Sequence, residues 1–234
     1  MADLPPDHPG VGRRQFLRKI LSGAVVGVAS QTGIELALPS KSHAQMNLSP
    51  NAALHELFAG NQRFMENRLT SFEQDLAILK EHTVERQEPF AAVLACADSR
   101  VPVELIFDQT IGHIFVTRVA GNVVTPEIIA TLEYGVGVLG IKALLVVGHR
   151  NCGAVKAAMN ADTVPGQISA LYQHLQPAVE QSGGNVDTAI AANARFQADL
   201  LRTSSTVIRE ALKAGTLRVE AGVYDLATGK VSLG

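Results

Sequence analysis

The 234-residue chain contains no tryptophan, 5% aromatic residues and only two cysteines. Its 20 Lys and Arg residues are balanced by 22 Asp and Glu residues, so it lacks the basic excess that is typical of nucleic-acid-binding proteins. Hydrophobic residues nevertheless make up 47% of the chain, which is enough for a core of Ala, Val, Leu and Ile. The composition therefore predicts one α/β domain of ordinary size and no nucleic-acid partner.

The two cysteines lie in two short polar motifs, each of which follows an apolar run. Cys96 begins Cys-Ala-Asp-Ser-Arg after residues 90–95, and His149 and Cys152 belong to His-Arg-Asn-Cys after residues 143–148. The ends of parallel strands are where an open α/β sheet places its ligand-binding groups. A Cys2His set with one open position is typical of a catalytic zinc site. The three residues are therefore predicted zinc ligands.

The first 44 residues have the pattern of a twin-arginine export signal. Paired arginines within residues 12–19 precede a moderately apolar stretch over residues 20–38. Ser42-His43-Ala44 suits a signal peptidase that cuts before Gln45. The alternative is a retained membrane anchor, although two polar residues interrupt the stretch.

Cleavage at this point gives a signal peptide of residues 1–44 and a single zinc-dependent catalytic domain of residues 45–234. We expect that domain in the periplasm or another extracytoplasmic compartment, without stable membrane insertion. Oxidising compartments favour a competing interpretation, a disulfide between Cys96 and Cys152, and unliganded core thiols are a third. The twin-arginine route carries folded proteins, so zinc bound in the cytoplasm would keep both sulfurs as thiolates, which favours the zinc site.

Strand-like and helix-like segments alternate along the chain, which predicts a mostly parallel central sheet flanked by helices. The predicted strands are residues 90–96, 114–119 and 143–148, with a short closing strand pair over 217–224 and 230–233. The predicted helices are residues 103–107, 126–138 with Thr125 as cap, 152–159, 167–180 and a single long helix over 187–213. Two amphipathic helices, beginning at Ser49-Pro50 and near Ser71, form an N-terminal helical arm that covers either its own sheet or a second subunit.

Asp98 and Arg100 follow the first predicted ligand, Cys96, almost directly. Two thiolates balance the charge of zinc, so such a site acidifies a bound water less than an all-His site does. A carboxylate within hydrogen-bond reach can orient that water, and Arg100 would keep Asp98 ionised and fixed. The alternatives are that Asp98 is a fourth zinc ligand in a closed, inactive state, or that the two residues form a surface ion pair in a turn.

Residues 50–233 resemble the β-class carbonic anhydrases. The resemblance rests on four runs: Cys96-Ala-Asp98-Ser-Arg100-Val-Pro, Phe107-Asp-Gln, Phe115-Val-Thr-Arg118-Val-Ala-Gly121-Asn122 and Gly148-His149-Arg-Asn-Cys152-Gly153. It implies one Zn²⁺ per subunit, held by Cys96, His149 and Cys152. It also implies reversible hydration of carbon dioxide to bicarbonate and a proton by hydroxide on the zinc, oriented by the Asp98–Arg100 dyad.

The resemblance implies three further properties. Gln87 matches a family glutamine that donates a hydrogen bond to the substrate oxygen. The family forms homodimers or dimer-based oligomers whose N-terminal helices embrace the neighbouring subunit near the active-site cleft. Some members have an open zinc site, and in others the aspartate binds the zinc in a pH-dependent way.

Two alternative functions remain open. Proteins of the same fold use the same ligands to hydrolyse carbon disulfide or carbonyl sulfide. A catalytically silent zinc-binding protein is the alternative from another functional class.

Gly135-Val-Gly137-Val-Leu-Gly140 has the spacing of a dinucleotide-binding loop. The run ends a predicted helix and leads into a strand, which is the reverse of the order that a nucleotide site needs. The sequence therefore predicts a packing or helix-terminating role for these glycines and no nucleotide cofactor.

Overall fold

The computed structural model of the protein describes residues 48–71 and 84–234, and five strands of this part of the chain form one sheet. The strands are β1 Ala91–Ala95, β2 Ile114–Arg118, β3 Ala143–His149, β4 Arg218–Tyr224 and β5 Val231–Leu233, in the sheet order β2-β1-β3-β4-β5. The first four strands are parallel, and β5 is antiparallel to β4. The predicted mostly parallel sheet is confirmed, including the short strand pair that closes it.

Strands β1 and β3 form the centre of the sheet and are buried along their whole length. Consecutive side chains point to opposite faces. Val93 and Leu145 pack into one hydrophobic cluster, whereas Leu94 and Val146 pack into another. Continuous apolar strands of this kind are typical of parallel sheets that helices cover on both sides.

Helices of the described chain lie on both faces of the sheet. They are α1 Pro50–Met65, α2 Val103–Ile106, α3 Pro126–Gly137, α4 Gly153–Met159, α5 Tyr172–Gln181, α6 Val186–Ser204 and α7 Thr206–Lys213, with 3-10 turns at Ala120–Asn122 and Ile168–Leu171. Helix α1 packs on the Val93 side through Leu54 and Leu57. Helices α3, α6 and α7 pack on the other side through Leu132, Leu201 and Ile208. The α/β class is therefore confirmed.

The long helix predicted over residues 187–213 is wrong, because the chain forms two helices, α6 and α7, that meet at Ser205. Ser205 has extended backbone angles, and its hydroxyl oxygen accepts a hydrogen bond from the Ile208 N–H at 3.0 Å. The same hydroxyl donates to Glu133 in α3 at 2.6 Å. A serine N-cap of this kind begins a new helix and allows the chain to change direction.

Helix α1 is the first element of the N-terminal arm and packs on its own subunit. Ser49 caps it by accepting from the Ala52 N–H at 3.1 Å, and proline follows at the first helical position. The Asn61 side chain donates to the carbonyls of Ile106 and Gly229, which ties α1 to the end of α2 and to the turn between β4 and β5. The second predicted helix, after Ser71, falls outside the described residues, as does the predicted export signal. None of the described helices is long and apolar enough to cross a membrane.

The glycine-rich run ends α3 and leads into β3, so the order of elements excludes a dinucleotide loop, as predicted. A Cβ at Gly135 would lie 3.3 Å from the Phe115 ring, which confirms close packing of helix against sheet. Thr125 is the N-cap of α3, although its hydroxyl donates to Glu127 instead of capping the helix backbone.

Candidate metal centre

The sheet order places a crevice between β1 and β3. From β1 the chain continues to β2 on one side, and β3 then lies on the other side of β1. Open α/β sheets bind ligands at such a switch point, beyond the carboxyl ends of the strands. Cys96 is the residue after β1, His149 is the last residue of β3, and Cys152 is the N-cap of α4. The topology thus brings the three predicted ligands to one crevice.

The ligand atoms of Cys96, His149 and Cys152 all lie within 4.8 Å of one another. Two ligand atoms of a tetrahedral zinc, bound at roughly 2.0 to 2.3 Å, lie about 3.3 to 3.8 Å apart, so the cluster fits the ion once the side chains move slightly closer together. The three residues are 4%, 0% and 1% exposed, and both cysteines are free thiols. The structure therefore does not contain the alternative disulfide.

The imidazole of His149 is oriented for a metal. Its Nδ1–H donates to the carbonyl of Arg150 at 2.9 Å, which fixes the tautomer and leaves Nε2 with a lone pair. Nε2 is fully buried and has no hydrogen-bond partner among the described residues. An unpaired buried nitrogen costs free energy, which a metal ion at this position would recover.

The two thiols interact with each other and with neighbouring donors. The Cys152 thiol, followed by His149 and the Gly121 N–H, lowers the pKa of Cys96, and the same pairing with Cys96 raises the pKa of Cys152. The Gly121 N–H lies 3.3 Å from Cys96 Sγ. Gly121 is held in turn by Asn193 of α6, whose side-chain amide donates to its carbonyl at 2.8 Å. The pairing thus favours loss of a proton from one of the two thiols, and a zinc ligand must be a thiolate.

Asp98 and Arg100 form a two-point pair beside this cluster. Arg100 Nε and Nη2 donate to the two carboxylate oxygens at 2.9 and 2.7 Å, and the Arg100 backbone N–H donates to Oδ1 at 2.9 Å. These bonds, led by the guanidinium, hold the pKa of Asp98 well below its usual range. Asp98 Oδ2 lies 3.7 Å from His149 Nε2. An ionised carboxylate therefore lies next to the nitrogen that would bind the metal.

Two residues of this site had no role assigned from the sequence. Arg118, at the end of β2, donates to the backbone carbonyls of Cys96 and Asp98, and Gly121 donates to the Cys96 sulfur. Both belong to the third run of the resemblance, residues 115–122, which was the available signal. Gln87 lies in an exposed stretch ahead of β1, and no hydrogen bond within the described ranges joins it to the cluster.

A surface cleft of about 750 Å³ adjoins the pair on the Arg100 side. Arg150 and Lys156 line it together with Asp187 and Asp225, so its charge is mixed. Arg150 is paired with Asp187 at 2.5 Å. Solvent reaches Arg100, whose side chain is 48% exposed, while the ligand side chains behind it are buried.

The chain is similar in sequence and in fold to known carbonic anhydrases. Residues 91–231 match the protein family described as carbonic anhydrase. A carbonic anhydrase of Mycolicibacterium smegmatis is 33% identical over 195 residues, covering 80% of this chain and 94% of that protein. The solved structure of the β-carbonic anhydrase CcaA has a TM-score of 0.62 at 26% identity, covering 77% of this chain and 86% of that one. A Coccomyxa β-carbonic anhydrase solved with acetazolamide has a TM-score of 0.61 at 26% identity, with coverages of 77% and 85%.

Proposed function

The chain belongs to the β-class carbonic anhydrases, and from this premise we propose that it hydrates carbon dioxide reversibly to bicarbonate and a proton with one Zn²⁺ per subunit. The proposed ligands are Cys96, His149 and Cys152. The observation that carries the proposal is the buried Nε2 of His149, which has no hydrogen-bond partner in the described chain and converges with two thiols beside an ionised carboxylate. A purely structural metal would have no use for that carboxylate.

Zinc, when bound at such a site, lowers the pKa of a water molecule so that it becomes a nucleophile near neutral pH. The role that we assign to Asp98 is to accept a hydrogen bond from the attacking water, so that an oxygen lone pair faces the substrate. Arg100 holds both Asp98 oxygens, which keeps the carboxylate ionised and oriented. Because those oxygens are engaged by Arg100, this arrangement favours a site whose fourth position is open over one that Asp98 closes.

We further propose that the protein acts as a homodimer or as a dimer-based oligomer. Gln87 is exposed and makes no described contact with the metal centre of its own chain, which suits a residue at a subunit interface. Its proposed role is to donate a hydrogen bond to a substrate oxygen. Sedimentation velocity of the purified protein tests the assembly, and a monomer at all concentrations would contradict it.

The proposed location is outside the cytoplasm, reached through the twin-arginine signal in residues 1–44. If this is correct, the exported protein begins at Gln45, and changing Arg13 and Arg14 to Lys leaves the full-length chain in the cytoplasm. Cell fractionation combined with N-terminal sequencing measures both effects. A protein that stays in the cytoplasm without either change would overturn the proposal.

Zinc content and carbon dioxide hydration, measured on the same samples by atomic absorption and stopped flow, test the catalytic proposal. The wild type should contain one zinc per chain and turn over. His149→Ala should lose both the metal and the turnover, because it removes the buried nitrogen that has no other partner. His55→Ala is the matched control, since His55 is exposed on α1. A wild type with full zinc and no turnover would refute the proposal and direct the assay to carbon disulfide and carbonyl sulfide.

A further inference from the structure

Arg118 ends β2 beside Ala95, the last residue of β1. Its guanidinium donates through Nε to the carbonyl of Cys96 at 3.0 Å and through Nη2 to the carbonyl of Asp98. None of the ion pairs in the described chain involves Arg118. The side chain therefore spans two backbone carbonyls that lie on either side of Ala97, at the point where the chain leaves the sheet.

These carbonyls belong to the residues whose positions decide the chemistry of the site. Pairing between β1 and β2 continues through the backbone bonds of Ala95 and Ala97 with Val119, at 3.1 and 3.2 Å. The Asp98 carbonyl also accepts from the Val101 N–H at 3.0 Å, whereas Arg118 provides the described hydrogen bond to the Cys96 carbonyl. The guanidinium thus links the start of this turn to the residue that carries the carboxylate.

We propose that Arg118 is a positioning residue that holds Asp98 at its working distance from the metal centre. This inference rests on the function proposed above. The planar guanidinium fixes two acceptors at once, which a lysine ammonium or a glutamine amide cannot reproduce with the same geometry. Without it, the turn over residues 96–98 can relax, and Asp98 Oδ2 loses its fixed position 3.7 Å from His149 Nε2.

Arg118→Gln should lower kcat/KM for carbon dioxide roughly ten- to hundredfold, because displacing a catalytic group by about 1 Å costs rate on that order. Zinc content should remain one per chain, since the ligand side chains are unchanged. Arg118→Lys keeps the charge and a single donor nitrogen in place of the two that Arg118 uses, so its loss of activity should be smaller. Arg209→Gln is the matched control: Arg209 also donates to a backbone carbonyl, that of Thr203 at 3.1 Å, but on the surface at α7.

A double-mutant cycle with Asp98→Ala separates positioning from the other ways in which Arg118 could act. If Arg118 works through Asp98, Arg118→Gln should cost less than about twofold once the carboxylate is gone, because the two residues then share one effect. An equal loss in both backgrounds would overturn the proposal, since it would mean that Arg118 contacts substrate itself or only supports the fold.

Amide hydrogen exchange gives a readout that needs no turnover. In Arg118→Gln, peptides covering residues 96–101 should exchange at least about tenfold faster, while peptides of α6 stay unchanged. Unaltered exchange over residues 96–101 would refute the positioning role. Failure of the proposed function can be distinguished from failure of this inference. If the proposed function is wrong, the wild type itself is inactive, and the exchange measurement still decides whether Arg118 holds the turn.

Discussion

Replacement of the buried Asp108 by Asn is expected to destabilise the protein by about 2 to 3 kcal/mol at pH 7. The Asp108 carboxylate follows α2 and accepts four hydrogen bonds. These come from Arg63 Nε at 2.5 Å, Thr70 Oγ1 at 2.8 Å, the Thr70 N–H at 2.9 Å and the Ser71 N–H at 3.0 Å. All four partners are donors, so the amide nitrogen of Asn would face a donor whichever way it turns.

The magnitude follows from the pKa of Asp108. Burial alone would raise it, but the hydrogen bonds from Arg63, Thr70 and Ser71 outweigh burial and lower the pKa to about 2 from the ordinary 3.8. At about 1.4 kcal/mol per pKa unit, the difference is worth about 2 to 3 kcal/mol. Because the folded-state pKa is depressed, this contribution is fully present above pH 4 and is lost as the pH falls through about 2. The effect of the substitution should therefore be constant between pH 6 and pH 8.

Urea unfolding of zinc-loaded protein at one fixed concentration measures the loss, because metal binding and assembly both contribute to apparent stability. Asp162→Asn is the matched control, since Asp162 is exposed and should change stability by less than about 0.5 kcal/mol. A loss for Asp108→Asn no larger than that of the control would refute the reasoning, as would a loss that varies between pH 6 and pH 8.

Two further substitutions probe the metal centre. Asp98→Asn should keep one zinc per chain and lower kcat by about a hundredfold, because the neutral amide is a weaker acceptor than the carboxylate and its NH2 group cannot accept from Arg100; activity within twofold of the wild type would contradict the role of Asp98. Gly121→Ala should lower the free energy of unfolding by about 1 to 2 kcal/mol, because φ is +73° there and a Cβ would lie 3.2 Å from Leu175. Urea unfolding measures this loss, with Gly153→Ala, where a Cβ would meet nothing within 4 Å, as control; equal stability of the two variants would contradict it.

The sequence predicted the parts of the fold that local rules govern. Apolar runs gave β1 and β3 to within a residue or two, and their ends located Cys96 and His149 correctly. The break at Ser205 was missed because α6 and α7 continue one amphipathic pattern and the capping serine lies in a run of polar residues. The fold class could be predicted because alternation of strands and helices leaves few topologies open.

Contacts between residues far apart in the chain could not be predicted in the same way. Arg118 reaches Cys96 and Asp98 only because β1 and β2 are neighbours in the sheet. Asn193 is a polar residue of α6, yet it is only 1% exposed. Its hydrogen-bond partner, the Gly121 carbonyl, lies 72 residues away in the chain. Hydrogen bonds of this kind depend on tertiary packing, which cannot be predicted from the periodicity of hydrophobic residues in the sequence. The roles of Gln87 and of the export signal stay predictions.

The pH dependence of carbon dioxide hydration, measured by stopped flow on protein with a determined zinc content, tests the central claim most directly. With one zinc per chain, turnover should rise as the pH increases from about 6.5 to 9, the range in which a water on zinc ionises. Protein with full zinc content and no turnover above the zinc-free control at any pH in this range would contradict the account.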